Sequence, residues 1–407
     1  MEYQTHTLDN GLRIIHYPYI SEISYCGFVV NTGTRDEMPD EEGMAHFVEH
    51  MLFKGTKRRK SLHIANRMEN VGGEINAYTT KEETFVYSIF PEEYLPRAID
   101  LLSDMVFHST FDQMQIERER GVVLDEINSY LDTPADLIYD DFENLLFSGH
   151  DLGHYILGNP QSLKTFDTQR IKNFVERQYN PESMVFFSFG KSPFSKVVKQ
   201  VEKQLSCISG NGILSKKRRI PTDTSVRKES VSKGIMQAHV MMGRKTYDMY
   251  HPHRYALYLL NNILGGSSMN SRLNVALREK NGLVYNVESS AAFYTDTGVF
   301  ALYFACDPHD VERCVRLVEN ELQRLKENRL TPGQLATAKK QLKGQMMISA
   351  ENHENVALDM AKNFLHYNEY RSPEETLKII DSVTSEQLQQ VAIEVFDLSK
   401  LSQLRYL

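Results

Sequence analysis

The chain has 407 residues, of which 41% are hydrophobic and 25% charged, with 22 glycines and 13 prolines. At about 100 to 200 residues per domain this length implies two or three domains, and the composition excludes a mainly disordered or collagen-like polypeptide. With 46 Lys and Arg against 54 Asp and Glu, the net charge is −8, so no basic excess is available to neutralise phosphates and no nucleic-acid partner is expected.

Cys26, Cys207, Cys306 and Cys314 lack CxxC spacing, which argues against a disulfide framework or thiolate metal site and suits a reducing compartment. The opening MEYQTHTLDNGLRIIHYPYI has no basic segment followed by an apolar core. No uninterrupted apolar stretch approaches the roughly 20 residues of a membrane-spanning helix. The sequence therefore reads as a cytoplasmic chain without a membrane partner.

In chain order, Leu12 to Ile15 and Gly27 to Thr32 are β-rich runs, the first preceded by a DNG turn. A helical pattern covers Gly43 to Phe53, and a second runs from Ser61 to Val71 and stops at Gly72-Gly73. GEINAYTT and ETFVYSIF follow as a strand pair, then PEEYLPRAIDLLSDMVFH as a helix. Asp112 is placed to cap the helix carrying IERERGVVLDEINSYL. Ser206 to Ser230 is polar, basic and without apolar period, which reads as a linker.

Beyond that stretch the order repeats. HVMMGRKT is a strand and RYALYLLNNILGG a helix, NVESSAAFYTD and GVFALYFACD are strands, and PHDVERCVRLVENELQRL is a helix. This predicts an internal duplication of the α+β class, each half a mostly antiparallel sheet covered by helices. The expected division is a metal-binding catalytic domain at 1–205, a linker at 206–230 and a degenerate repeat at 231–407.

The strongest chemical signal lies in GMAHFVEHMLF. On a helix, His46 and His50 are about 40° apart around the axis and about 6 Å along it, so both imidazoles can reach one cation. Glu49 lies at the edge of the same face, where its carboxylate can take a proton from water at the metal. H-x-x-E-H reverses the H-E-x-x-H order of zinc proteases while keeping the ligand pair and the base. A bare motif of this kind is often a solvated helix face, but here Phe47, Val48, Met51, Leu52 and Phe53 surround the polar trio. Polar groups pinned in an apolar helix need partners, which a metal supplies.

A catalytic zinc also needs a third protein ligand. Glu119 and Glu126 are seven positions apart and share a helix face, whereas Glu117 and Asp125 point elsewhere. Spacing alone does not choose between the two. Two other histidine pairs, His150 with His154 and His251 with His253, sit in turn-like settings without a matched carboxylate and read as structural.

Taken in order, GMAHFVEHMLFKGT, GGEINAYTTKEETFVYSIF and IERERGVVLDEI resemble the pitrilysin-like inverzincin peptidases, the family of insulin-degrading enzyme and the mitochondrial processing peptidases. The likeness covers nearly the whole chain. It implies Zn²⁺ on His46, His50 and Glu126, with Glu49 as the base and Glu119 as an auxiliary glutamate. It also implies that Asn76 and Ala77, in NAYT, lie on a sheet edge that can accept a peptide as an added strand, and that Arg278 and Tyr285 in the second half bind substrate, Tyr285 as a donor to the oxyanion. Setting HMLFKGT against NNILGGS puts Leu257, Leu260 and Asn261 opposite His46, Glu49 and His50, so the second half should have no metal site.

The function expected from these readings is zinc-dependent cleavage of short or unfolded peptides. Double-length relatives enclose a chamber with two such halves, so this chain is expected to pair as a clam-shell homodimer. The alternatives are a presequence-processing peptidase that needs an inactive partner subunit, or a noncatalytic assembly subunit.

Overall fold

The computed structural model describes residues 2–210 and 218–407. They form two compact units. The first comprises Met1–Ser129, His154–Arg218 and Asn352–Arg371, and the second Tyr130–Gly153, Arg219–Glu351 and Ser372–Leu407.

In chain order the first half contributes β1 (Gln4–Thr7), β2 (Arg13–Pro18), β3 (Ile23–Val30), α1 (Met44–Leu52), α2 (Ser61–Glu69), β4 (Glu74–Thr79), β5 (Thr84–Pro91), α3 (Leu95–His108), α4 (Gln113–Leu131), α5 (Pro134–Leu146), α6 (Pro160–Leu163), α7 (Thr168–Gln178), β6 (Met184–Gly190) and α8 (Phe194–Leu205). The remainder contributes β7 (Lys228–Val231), β8 (Ala238–Thr246), α9 (Arg254–Gly265), β9 (Val284–Phe293), β10 (Gly298–Cys306), α10 (Val311–Glu327), α11 (Pro332–Ser349), α12 (His353–Tyr367), α13 (Pro373–Ser382), α14 (Ser385–Val395) and β11 (Ser402–Tyr406). The expected caps are in place: the chain leaves α2 toward Gly72 with φ 74°, and the Asp112 carboxylate accepts from the Met114 and Gln115 amides.

The first unit holds a sheet in the order β1-β2-β6-β3-β5-β4. Because side chains alternate across a strand, Phe28, Val30, Val86 and Phe186 enter a core shared with α1 and α3. Val29, Phe85, Tyr87, Val185, Phe187 and Phe189 point to the opposite face. That second face is covered by Ala357, Met360, Ala361, Phe364 and Leu365, a helical stripe along α12.

The second unit holds a sheet in the order β7-β11-β8-β10-β9. Its successive pairings are parallel, antiparallel, antiparallel and antiparallel. Those of β2-β6-β3-β5-β4 follow the same series. The predicted duplication is thus present in strand order and direction. α9 and α10 pack in the second core much as α1 and α3 do in the first.

The predicted domain boundaries need correction. α12 belongs to the first unit and α5 to the second, so neither unit is one continuous segment as 1–205 and 231–407 would require. The reason is physical: strands as apolar as β6, buried along its whole length, must be covered on both faces, and nothing local marks which helix supplies the second cover. The expected linker 206–230 is also not wholly irregular. Its last residues begin β7, which pairs with β11, while positions 211–217 lie outside the described residues. Among the described residues, no helix is long and apolar enough to cross a membrane.

Candidate metal centre

α1 carries two complementary stripes. Met44, Phe47, Val48, Met51 and Leu52 are buried in the first core; the positions between them hold His46, Glu49 and His50. The helix start is framed tightly. Gly43 has φ 87°, and a Cβ there would lie 2.6 Å from the Cα of Gly158, so a side chain at this crossing is excluded by both backbone and space. The buried Glu37 carboxylate accepts from the amides of Gly43 and Ala45 at 3.0 and 2.8 Å, satisfying backbone donors the helix cannot pair internally.

α4 supplies the remaining acids. Glu119 lies in its buried stripe with Ile116, Val123 and Ile127, and Glu126, two turns on, is 44% exposed in its side chain. His46 Nε2 stands 3.8 Å and His50 Nε2 3.5 Å from the two Glu126 oxygens. These separations are too long for hydrogen bonds. They are close to the roughly 3.3 Å edge of a tetrahedron of ligands about 2.0 Å from a central zinc. Candidate donor atoms of all three residues lie within 4.8 Å of one another, and among the described residues this is the one such group of three. The donor set, two imidazoles and a carboxylate, fits zinc.

The surrounding groups set the protonation of these donors. Burial, then the neighbouring His50, pushes His46 down to about 3, so its imidazole is neutral and holds a lone pair for a cation. For His50, burial works in the lowering direction but is outweighed by Glu119, Glu126 and Glu49, leaving it raised. Glu119 Oε1 is 2.8 Å from His50 Nδ1, and its other oxygen is 2.7 Å from Lys54 Nζ. With Nδ1–H donating to Glu119, His50 turns its Nε2 lone pair toward Glu126. Glu119 thus sits behind the donors.

Glu49 is not one of the clustered donors, and its Oε2 accepts a 2.6 Å hydrogen bond from Thr79 Oγ1. Burial raises its carboxyl above the usual range, opposed by that bond and by His50. Sequence spacing alone assigns no role to Thr79, Lys54 or Glu37. Period-two alternation along β4 is the signal that would have found Thr79, since it shares the α1-facing side with Ile75 and Ala77.

β4 is the edge of its sheet, as expected for NAYT. Ala77 packs toward the α1 core, whereas Asn76 alternates to the other face and stands opposite Tyr87. Arg278 and Tyr285 belong to the second unit. Arg278 lies in a short π-helical turn, Asn274–Glu279, with its guanidinium 5.4 Å from the centre of the Tyr285 ring. Tyr285 is 83% exposed, so it is no core residue of β9. At the equivalent of the metal helix, Leu257 and Leu260 are buried in the second core, and Asn261 donates to Ser289 O. His150 is engaged through both ring nitrogens, with Arg219 O and the Leu152 amide.

The family model described as Insulinase (Peptidase family M16) matches residues 16–159, which include His46, Glu49, His50, Asn76, Ala77, Glu119 and Glu126, and that for the Peptidase M16 inactive domain matches 165–342. A Bacillus subtilis protein named uncharacterized zinc protease YmxG is 32% identical over 395 residues, spanning 96% of this chain and 95% of its own length. This chain belongs to peptidase family M16. Another relative, the uncharacterized zinc protease SCO5738 of Streptomyces coelicolor, is 33% identical over 397 residues, with 96% and 86% covered. A solved protease from Helicobacter pylori superposes with TM-score 0.92 at 22% identity, covering 100% of this chain and 99% of its own. A peptidase M16 inactive domain from Pseudomonas fluorescens does so with TM-score 0.92 at 18% identity, covering 100% and 98%. The last two share the M16 fold with this chain.

Proposed function

We propose that this M16 protein is a zinc-dependent endopeptidase acting on short or unfolded peptides. The observation that carries the reading is the pairing of a three-donor site with a separate carboxylate, Glu49, held beside it. His46, His50 and Glu126 would hold the metal. Zinc, when bound, lowers the pKa of a coordinated water and polarises a carbonyl oxygen. Glu49 accepts the proton of the attacking water and returns it to the leaving amine. Glu119 and Lys54 hold the His50 ring in one orientation, and β4 offers an open edge on which an extended peptide can pair through its main chain.

A structural zinc site is normally closed by four protein ligands. The three donors here, one of them on an exposed glutamate, favour catalysis over a purely structural role. Arg278 and Tyr285, an exposed cation and phenol, are suited to binding substrate, with Tyr285 as a donor to a developing oxyanion. We further propose that two copies pair as a homodimer in the cytoplasm and enclose the peptide.

Metal analysis tests the donor set. Wild type should bind about one zinc per chain, Glu126→Gln should lose most of it, and Glu119→Gln should weaken retention by about 10- to 100-fold. Unchanged zinc in Glu126→Gln would remove that residue from the donor set. Native mass measurement of the active species should give twice the chain mass, and flexible peptides should be cleaved in preference to stably folded proteins. Activity only after addition of a different subunit would favour the processing-peptidase reading.

A further inference from the structure

We propose that Thr79 is a positioning residue for Glu49, tying the orientation of the base to the edge strand on which a peptide would pair. The inference rests on the peptidase reading above. Among the described residues, Thr79 is the one hydrogen-bond partner of the Glu49 carboxylate, through Oγ1 to Oε2 at 2.6 Å. Among the described residues, none donates to the second carboxylate oxygen. One oxygen is therefore anchored and the other is left to meet water, the arrangement a proton-accepting group requires.

The anchor itself is rigid. Thr79 is the last residue of β4, is buried, and faces Thr84 across the hairpin. The turn beyond it is closed by Thr80 N–H to Glu83 O at 2.8 Å and by Glu83 N–H to Thr80 Oγ1 at 2.9 Å. The Thr34 and Arg35 amides donate to the carbonyls of Thr80 and Lys81, and a Cβ at Gly33 would stand 2.3 Å from Thr80 O. At the other end of the contact, Glu37 and the Gly43–Gly158 crossing hold the start of α1. The backbone on both sides of the Thr79–Glu49 contact is thus held in place, and a peptide pairing with β4 would load the same strand.

The test compares Thr79→Val, which keeps shape and strand preference but removes the hydroxyl, with Thr79→Ser, which keeps the hydroxyl. Thr79→Val should lower kcat by about 10- to 100-fold with zinc content and KM unchanged, Thr79→Ser should restore most of the loss, and Thr79→Val should add nothing in a Glu49→Gln background. Wild-type kcat in Thr79→Val, failure of Thr79→Ser to rescue, or an equal loss in the Glu49→Gln background would overturn the proposal. Difference infrared spectroscopy gives a readout independent of turnover. The carboxylate band that disappears in Glu49→Gln should shift in Thr79→Val and return in Thr79→Ser, and an unmoved band would also overturn it. A chain that shows the band shift but cleaves no peptide would keep the anchor and reject the peptidase reading.

Discussion

Glu49→Gln is expected to reduce peptide hydrolysis by about 10² to 10⁴ while the protein keeps its fold and its zinc. Glu49 shares α1 with His46 and His50, but its carboxylate hydrogen-bonds Thr79 and is not one of the clustered donors. An amide there keeps the size of the side chain and can still accept from the Thr79 hydroxyl through its carbonyl oxygen. What it loses is the basicity needed to take a proton from water, so the defect should fall on kcat, with peptide affinity retained. Zinc analysis, circular dichroism and turnover on one flexible peptide decide it together. Near-normal turnover by a zinc-loaded Glu49→Gln protein would remove Glu49 as the base, and loss of zinc would instead make it a ligand.

The two outcomes are distinguishable because the site divides its acids by position. Glu126 faces both Nε2 atoms, Glu119 lies behind one ring, and Glu49 lies to the side. Helical spacing put Glu119 and Glu126 on one face but left their roles open, since a repeat of seven residues carries angle and no depth. Depth comes from packing. Glu119 falls in the buried stripe of α4 with Ile116 and Val123, where Lys54 can reach it, and Glu126, two turns further along, has an exposed side chain.

The duplication and the metal helix were legible for a related reason. Both are written in short-range periodicity: apolar positions at helical spacing in α1, alternation in the strands, and the same order of elements twice. The destination of α12 was not legible. Its stripe of Ala357, Met360, Ala361, Phe364 and Leu365 predicts a helix with one buried face, yet that pattern suits any apolar sheet. Which sheet it covers depends on shape and on a few polar contacts far apart in sequence. Domain limits read from a polar stretch therefore cut the chain at 205, while the first unit takes a helix from beyond residue 350.

Those polar contacts carry the second large effect expected. Glu83, buried in the β4–β5 hairpin, takes a 2.6 Å bond from His366 Nε2, a 2.7 Å bond from Thr80 Oγ1, and lies 3.2 Å from Lys362 Nζ. Burial alone would raise its carboxyl, but His366, Lys362 and Thr80 outweigh it and hold it down to about 2. Against the ordinary glutamate value this corresponds to about 3 kcal/mol of stability. Because the folded value is the depressed one, the contribution is complete above the unfolded value of about 4.3 and is lost as pH falls through about 2. Glu83→Gln removes the charge that meets Lys362 and His366 of α12 and should cost about 3 kcal/mol at neutral pH. The chain has no tryptophan, so urea unfolding is best followed by circular dichroism. The gap between wild type and variant should close as the pH is lowered from neutral toward 2, and a constant gap would mean that Glu83 acts through packing and not charge. Since the same hairpin carries Thr79, the variant should also lose turnover at neutral pH, with zinc retained, if the hold of α12 on this turn is what keeps Glu49 in place.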